Sequence, residues 1–244
     1  MKITIITVTF NSGKYLEEAI NSVIRQTYNN IEYIIIDGGS NDDTLSIIEK
    51  YKKYISYYIS EKDNGIYDAM NKGILASTGD IIGFLNSDDT FYDSDVVKKI
   101  FDSFNDNTDC VIGDIVFVNN KNNLKRNYTS KNFSIKYFEY GHMPPHPSFY
   151  LKKNFYINYG LYDINFKISS DFDLISRLMY KNIINFKIID LVIVRMRDGG
   201  ISTKISKKIL LNKEILDSCK KNNIKTNIIK IYFKYFFKIF SFLK

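Results

Sequence analysis

Asp88 and Asp89 close an apolar run, Ile81-Ile82-Gly83-Phe84-Leu85, with only Asn86 and Ser87 between. Two adjacent carboxylates at a mostly buried strand end are costly unless a cation or strong donors compensate them. No Arg or Lys follows until Lys98, so a divalent metal is the natural partner. Oxygen ligands favour Mg²⁺ or Mn²⁺, and either ion keeps open positions that phosphate oxygens fill. The competing reading is that one of the two, Asp89 above all, caps the helix begun near "YDSDVVKKIF". A second polar cluster, Asp37-Gly38-Gly39-Ser40, follows the apolar run "IEYIII". There a carboxylate suits a ribose or base edge, and the glycines permit a sharp turn and close approach to a ligand. A plain strand-to-helix turn is the alternative. No Gly-Lys-Ser/Thr follows, which excludes a Walker-type phosphate loop.

The surrounding elements alternate. "KITIITVTF" reads as a strand, "GKYLEEAINSVIRQ" as a helix with Leu16, Ala19, Ile20, Val23 and Ile24 on one face, and "IEYIIID" as a buried strand. "GGSNDDTLSIIEKYKKY" opens a helix with Ser40 and Asp43 spaced as a capping box. "ISYYIS", "GIYDAMNKGILAS" and "DIIGFLNSDD" continue the alternation as strand, helix and strand. The pattern predicts an α/β fold with a doubly wound, mostly parallel central sheet and helices on both faces. Ligands of such sheets bind at the carboxyl ends of the strands, where Thr9, Phe10 and Asn11 join the two clusters above.

Composition narrows the class. The 244 residues are 45% hydrophobic and 15% aromatic, enough for a sizeable core. Cys110 and Cys219, far apart and alone, suit a reducing compartment and cannot frame a zinc site. No signal peptide is recognisable at the start, so a cytoplasmic location is expected. The net charge is +7, yet residues 203–244 hold 11 lysines against Glu214 and Asp217 (11 − 2 = +9), leaving −2 before them. The positive charge is therefore local, which argues against nucleic-acid binding. In "NIIKIYFKYFFKIFSFLK", Lys230, Lys234 and Lys238 form one stripe of an aromatic, amphipathic helix. Such a tail suits the interface of the inner membrane leaflet, with docking on the domain or on a second subunit of a homodimer as the alternative.

"TVTFNSGKYLEEAINSVIRQTY", "EYIIIDGGSNDDT", "DNGIYDAMNKGILASTGDIIGFLNSDD" and "SSDFDL" resemble the successive motifs of the bacterial family-two glycosyltransferases, inverting enzymes of GT-A fold. The match is dense over residues 3–95 and thinner over 96–200. It implies transfer of a hexosyl or N-acetylhexosaminyl group from a nucleotide-diphosphate sugar, usually a UDP-sugar, to a glycan hydroxyl, with Mn²⁺ or Mg²⁺ on the diphosphate. Carried over, it puts Thr9, Phe10, Asn11 and Asp37 at the nucleoside and Asn64, Gly65, Asp68 and Asn71 at the donor. Asp88 becomes the metal ligand, with Asp89 supporting it. The family's Asp-x-Asp appears as Asn86-Ser87-Asp88, so an amide replaces the carboxylate that normally contacts the ribose. Asp171 falls at the base position. Asp173, two residues on, would point away from it on a helix.

The resemblance implies a domain over 1–202, with a nucleotide-sugar half (1–95) and an acceptor half (96–202), followed by a helical tail (203–244). It also implies surface polysaccharide synthesis, capsule or lipopolysaccharide, on a growing and, given the tail, polyprenyl-linked glycan. His146 in "GHMPPHPSFY" is placed on a rigid loop to line the acceptor pocket or touch the diphosphate, against a packing role. Arg197, before the Gly199-Gly200 hinge, suits a lid over the phosphates, against an ordinary basic turn. A nucleotidyltransferase shares the sheet and paired aspartates but starts with a Gly-rich basic loop that "TVTFNSGKYL" lacks. A non-catalytic nucleotide-sugar-binding module is the remaining alternative.

Overall fold

The computed structural model describes residues 1–198 and 207–233. Gly199, Gly200, Lys234 and Lys238 lie outside them. The first half alternates as the sequence predicts: β1 (Ile3–Thr9), α1 (Leu16–Ile24), β2 (Ile31–Asp37), α2 (Thr44–Tyr51), β3 (Tyr57–Ser60), α3 (Ile66–Ala76) and β4 (Ile81–Phe84). β1 is buried along its length because β2 and β4 flank it and helices cover both faces. This explains why its β-branched run shows no polar face.

The second half comprises β5 (Thr90–Phe91), α4 (Val96–Ser103), β6 (Cys110–Val118), β7 (Leu124–Tyr128), β8 (Phe149–Lys152), α5 (Lys153–Tyr159), α6 (Ser170–Tyr180), β9 (Phe186–Arg197) and α7 (Lys208–Lys221). The sheet order is β3-β2-β1-β4-β8-β6-β9-β5, with β7 on β6. β8 runs antiparallel to both β4 and β6, so β6 and its parallel neighbour β9 point the same way as β1 and β4. The sheet is thus mixed: β5, β7 and β8 oppose the other strands. The carboxyl ends of β1, β2, β3, β4, β6 and β9 therefore lie on one edge of the sheet. Side chains of α1, α2 and α4 form one core with one face of the sheet. Those of α3, α5, α6 and α7 form a second core with the other.

One expectation changes: the capping box does not form, since α2 starts at Thr44, and Ser40 Oγ turns instead to Asp37 Oδ1 at 2.5 Å and accepts the Asn11 N–H at 2.7 Å. The described part of the C-terminal region packs on the domain. Ile215, Cys219, Ile224 and Ile231 enter the same core as α6. Glu214 on α7 accepts the N–H groups of Lys167, Ile168 and Ser169 at 2.8 to 3.0 Å, at the entry to α6. Asp173 accepts from Ser218 Oγ at 3.0 Å and Asn222 Nδ2 at 2.9 Å. A lysine of the expected membrane stripe, Lys230, pairs with Glu139 at 2.7 Å. Docking on the domain, the alternative to membrane contact, thus holds for several charged residues of the described part of this region.

Candidate active site

The exits of β1, β2 and β4 are tied together at the switch point of the sheet, where the chain winds to opposite sides of β1. Asn11, held at a left-handed φ of 49°, donates its N–H to Ser40 Oγ, and its Oδ1 accepts the Asn41 N–H at 3.0 Å. Ser12 Oγ bonds Ser87 Oγ at 2.8 Å. Asp37 is fully buried. Its Oδ2 accepts from Gly39 N–H, Ser40 N–H and Ser60 Oγ, and its Oδ1 from Ser40 Oγ alone. Oδ1 therefore retains acceptor capacity. Phe10 stands 63% exposed beside Gly38, a flat apolar surface at the mouth of the turn. Thr9 Oγ1 is buried with no hydrogen-bond partner.

The loop before α3 is shaped by its own charges. Gly65 has φ +116°, which favours glycine, and Asp68 Oδ2 accepts the Asn64 N–H at 2.9 Å. Lys72, missed in the sequence, lies among Asp63 at 2.5 Å, Glu61 at 2.8 Å and Asp68 at 3.8 Å. These carboxylates hold its ammonium well above the usual lysine range. Asn71 departs from its expected place at the donor. Its amide clips both main-chain groups of Tyr162, at 2.9 and 3.0 Å, and so joins the two halves beneath the site.

At the exit of β4 the two carboxylates differ. Asp89 is buried and accepts from Asn86 Nδ2 at 2.8 Å and from the Arg197 N–H at 3.1 Å. Asp88 is half-buried, and no other described residue donates a hydrogen bond to it. Burial raises both carboxyls, that of Asp89 to about 8, and the Asp88 charge adds to the rise at Asp89, while Arg197 opposes it. Asp89 thus closes the site's floor. Neither carboxylate caps α4, whose N-cap is Asp95. Arg197 is buried, paired with Glu18, stacked over Tyr15 at 4.5 Å, and its Nε–H has no partner. It is a fixed cation behind Asp88, and the lid expected from Gly199-Gly200 lies outside the described residues.

A divalent ion fits this set. Among the described residues no three His, Cys, Asp or Glu side chains form a metal cluster, so the chain would offer Asp88 and leave other positions to phosphate oxygens and water. Mg²⁺ and Mn²⁺ accept such a sparse oxygen set.

Asp171 opens α6 on the other core. Its Oδ1 accepts the Phe172 N–H at 2.8 Å and the Tyr67 hydroxyl at 3.2 Å, and no other described residue donates to Oδ2. Burial raises its carboxyl to about 6, with Glu214 adding to the rise and the two hydrogen bonds opposing it. Asp173 faces α7, as its helical offset predicts. His146 is a packing residue: its Nε2 bonds Tyr162 Oη at 2.6 Å, its ring lies on Phe84, and burial lowers it to about 4, so it is neutral at pH 7. Asp114, also missed, sits on the β6 face that carries Cys110 and Ile112 and accepts the Ser130 N–H at 2.7 Å. It lies two residues beyond Ile112, the last residue of β6 paired with β8. A cavity of about 710 Å³ lined by Met1, Asp80 and Lys153 lies at the opposite ends of β1 and β4.

The sequence profile described as Glycosyl transferase family 2 matches residues 4–172. An uncharacterized glycosyltransferase of Mycobacterium tuberculosis is 32% identical over 187 residues, covering 72% of this chain and 68% of its own length. A PGL/p-HBAD biosynthesis glycosyltransferase of Mycobacterium bovis is 25% identical over 216 residues, covering 86% and 82%. The solved structure of Staphylococcus aureus TarS 1-349 in complex with UDP aligns with a TM-score of 0.66 at 20% identity, covering 89% of this chain and 65% of that one. The mannosyltransferase PcManGT of Pyrobaculum calidifontis, solved with GDP-Man and Mn²⁺, aligns with a TM-score of 0.66 at 14% identity, covering 93% and 65%. This chain therefore spans less than two thirds of either solved chain. The fold is GT-A-like, and with the family profile spanning most of its length, the chain belongs to glycosyl transferase family 2.

Proposed function

We propose that the protein moves a sugar, with inversion, from a UDP-sugar to a hydroxyl group of a growing glycan. The observation that carries this reading is the Asp171 carboxyl, half-buried, raised to about 6, and with Oδ2 unengaged on the acceptor side of the sheet edge. A base of that strength is ionised at neutral pH yet basic enough to take a hydroxyl proton. The acceptor oxygen gives its proton to Asp171 Oδ2 and bonds to the anomeric carbon. The anomeric carbon's bond to the diphosphate breaks, and its electron pair leaves with UDP. Asp88, with Asp89 behind it, would hold a Mn²⁺ or Mg²⁺ ion, which would supply charge neutralisation to that leaving group.

On the donor side, Phe10 offers a face to the base, Asp37 Oδ1 an acceptor for a base N–H, and Thr9 Oγ1 an unspent hydroxyl. Asn11, Asn64, Gly65, Asp68 and Asn86 would shape the walls around the ribose and sugar, and the buried Arg197 Nε–H, unpaired among the described residues, would serve a diphosphate. Asp114 is suited to an acceptor hydroxyl. The same assignments separate the nucleotide-sugar half, 1–95, from an acceptor half that now includes α7. A donor screen tests the reading. Thermal stabilisation by UDP-sugars that needs Mn²⁺ or Mg²⁺ is the expected result, and stabilisation by no nucleotide sugar would overturn it.

For the acceptor, a polyprenyl-linked glycan of a bacterial surface polysaccharide fits the apolar end of the domain. Ile228, Ile229, Tyr232 and Phe233 are exposed there, Ile229 at 74%, and a basic aromatic stretch follows in sequence. No helix among the described residues is long and apolar enough to cross a membrane. Contact would therefore be peripheral, at the inner leaflet. In vesicle flotation with anionic lipid, Ile229→Ser combined with deletion of 234–244 is expected to leave the protein in the soluble fraction while the intact chain floats. Equal flotation of both would remove the membrane contact.

A further inference from the structure

Tyr67 lies in the first turn of α3, immediately after the loop proposed to meet the donor, yet its ring is buried and its hydroxyl reaches across to α6. The phenol donates to Asp171 Oδ1 at 3.2 Å, the oxygen that also accepts the Phe172 N–H. The ring is fixed by Tyr162, which is itself held at two points. It stacks on Tyr162 with centroids 5.7 Å apart and 22° between planes. The Tyr162 main chain is clipped by Asn71, one turn along α3, and its hydroxyl is bonded to His146. A buried tyrosine hydroxyl needs a partner, but a carbonyl would serve. Here the partner is a carboxylate 104 residues away, on the other half of the chain.

We propose that Tyr67 is a positioning residue for the base, selecting which oxygen of Asp171 takes the acceptor proton. The proposal rests on the assignment of Asp171 above. With two donors on Oδ1, the carboxylate cannot rotate without losing both, and Oδ2 is left as the proton acceptor. The phenol also stabilises the charged carboxylate. Burial holds the Tyr67 phenol well above its ordinary value, so it stays a donor over the working pH range. The other ionisable groups around Asp171 are Tyr162, beside it under the site, and Glu214 from α7, whose charge opposes ionisation of Asp171. Asp173, on the same helix, is turned to Ser218 and Asn222. Tyr67 is therefore the side chain that favours the ionised base. Because it rides on α3, any settling of the donor loop is felt at Asp171.

The test is the pH profile of kcat/KM for UDP-sugar hydrolysis, using the UDP-sugar that stabilises the protein most, in the intact chain, Tyr67→Phe and Asp171→Asn. Water replaces the acceptor and gives its proton to the same oxygen. Tyr67→Phe keeps the ring and the donor-induced stabilisation that reports folding. Its acidic limb is expected to move up by about one pH unit, the size of a lost hydrogen bond to a charged group. The rate below that limb falls about tenfold, and the rate at high pH stays near that of the intact chain. Fluorotyrosine at position 67, a stronger donor of nearly the same shape, is expected to move the limb down. Limbs at the unchanged pH in both variants, with Asp171→Asn inactive, overturn the role of Tyr67 alone. Full hydrolysis by Asp171→Asn overturns the base assignment beneath it.

Discussion

Asp171→Asn is expected to retain donor binding and to lose transfer by roughly 10² to 10⁴-fold, the usual contribution of a positioned base. The substitution is nearly isosteric. The asparagine carbonyl can still accept from Phe172 N–H and Tyr67 Oη, which places the NH₂ group where Oδ2 stood. That nitrogen has no lone pair for a proton, so the geometry survives while the base is gone. Stability is not expected to fall, because the carboxyl that burial raises to about 6 is uncomfortable as an anion there. In the intact chain the same shift fixes the pH response. Activity should rise with pH through about 6, as the base ionises, and level above it. The measurement is UDP release at saturating donor, paired with donor-induced thermal stabilisation. A variant that transfers sugar at the normal rate would remove Asp171 from the mechanism.

Asp88→Asn should act on the other half of the reaction. Asp88 is the half-buried carboxylate at the exit of β4 that no described residue bonds, and no cluster of three acidic or imidazole ligands stands in reserve. Losing it should weaken metal-supported donor binding by more than about 100-fold, the upper range for losing even an outer-shell partner of a metal. Titrating Mn²⁺ at fixed UDP-sugar, with thermal stabilisation as the readout, measures this without turnover. An unchanged Mn²⁺ dependence would mean that the ion sits elsewhere. Asp89 offers no substitute, since both of its oxygens already receive hydrogen bonds, from Asn86 and Arg197.

The fold of the first half was legible because its signals are local. Strand periodicity, the glycines after β2 and polar residues at three strand ends all lie within short windows, and the parallel register places them side by side. What escaped were residues whose roles depend on distant partners. Asn71 looked like a donor contact because the motif is contiguous, but its partner is the main chain of Tyr162, 91 residues on. His146 looked functional beside prolines, and only the burial around it shows why it is neutral. β8 is four residues long, too short for periodicity to reveal that it enters antiparallel and turns a parallel sheet into a mixed one. The lysine-rich C-terminal region left lipid contact and docking on the domain both open. Composition records charge but not the carboxylates of Glu139, Asp163 and Asp173 that meet Lys230 and Lys221 in space.

The bond from the Arg197 main chain to Asp89 spans 108 residues, and β9 also pairs with β5 just beyond that carboxylate. A nascent chain that has left the ribosome only as far as β6 already holds every residue proposed to grip the nucleotide except Arg197. It lacks the strand that neutralises the floor beneath them, and long-range pairing of this kind forms late. During synthesis the growing polypeptide would thus leave UDP-sugars untouched until its final strand docks, so that binding begins only when the acceptor side is also in place.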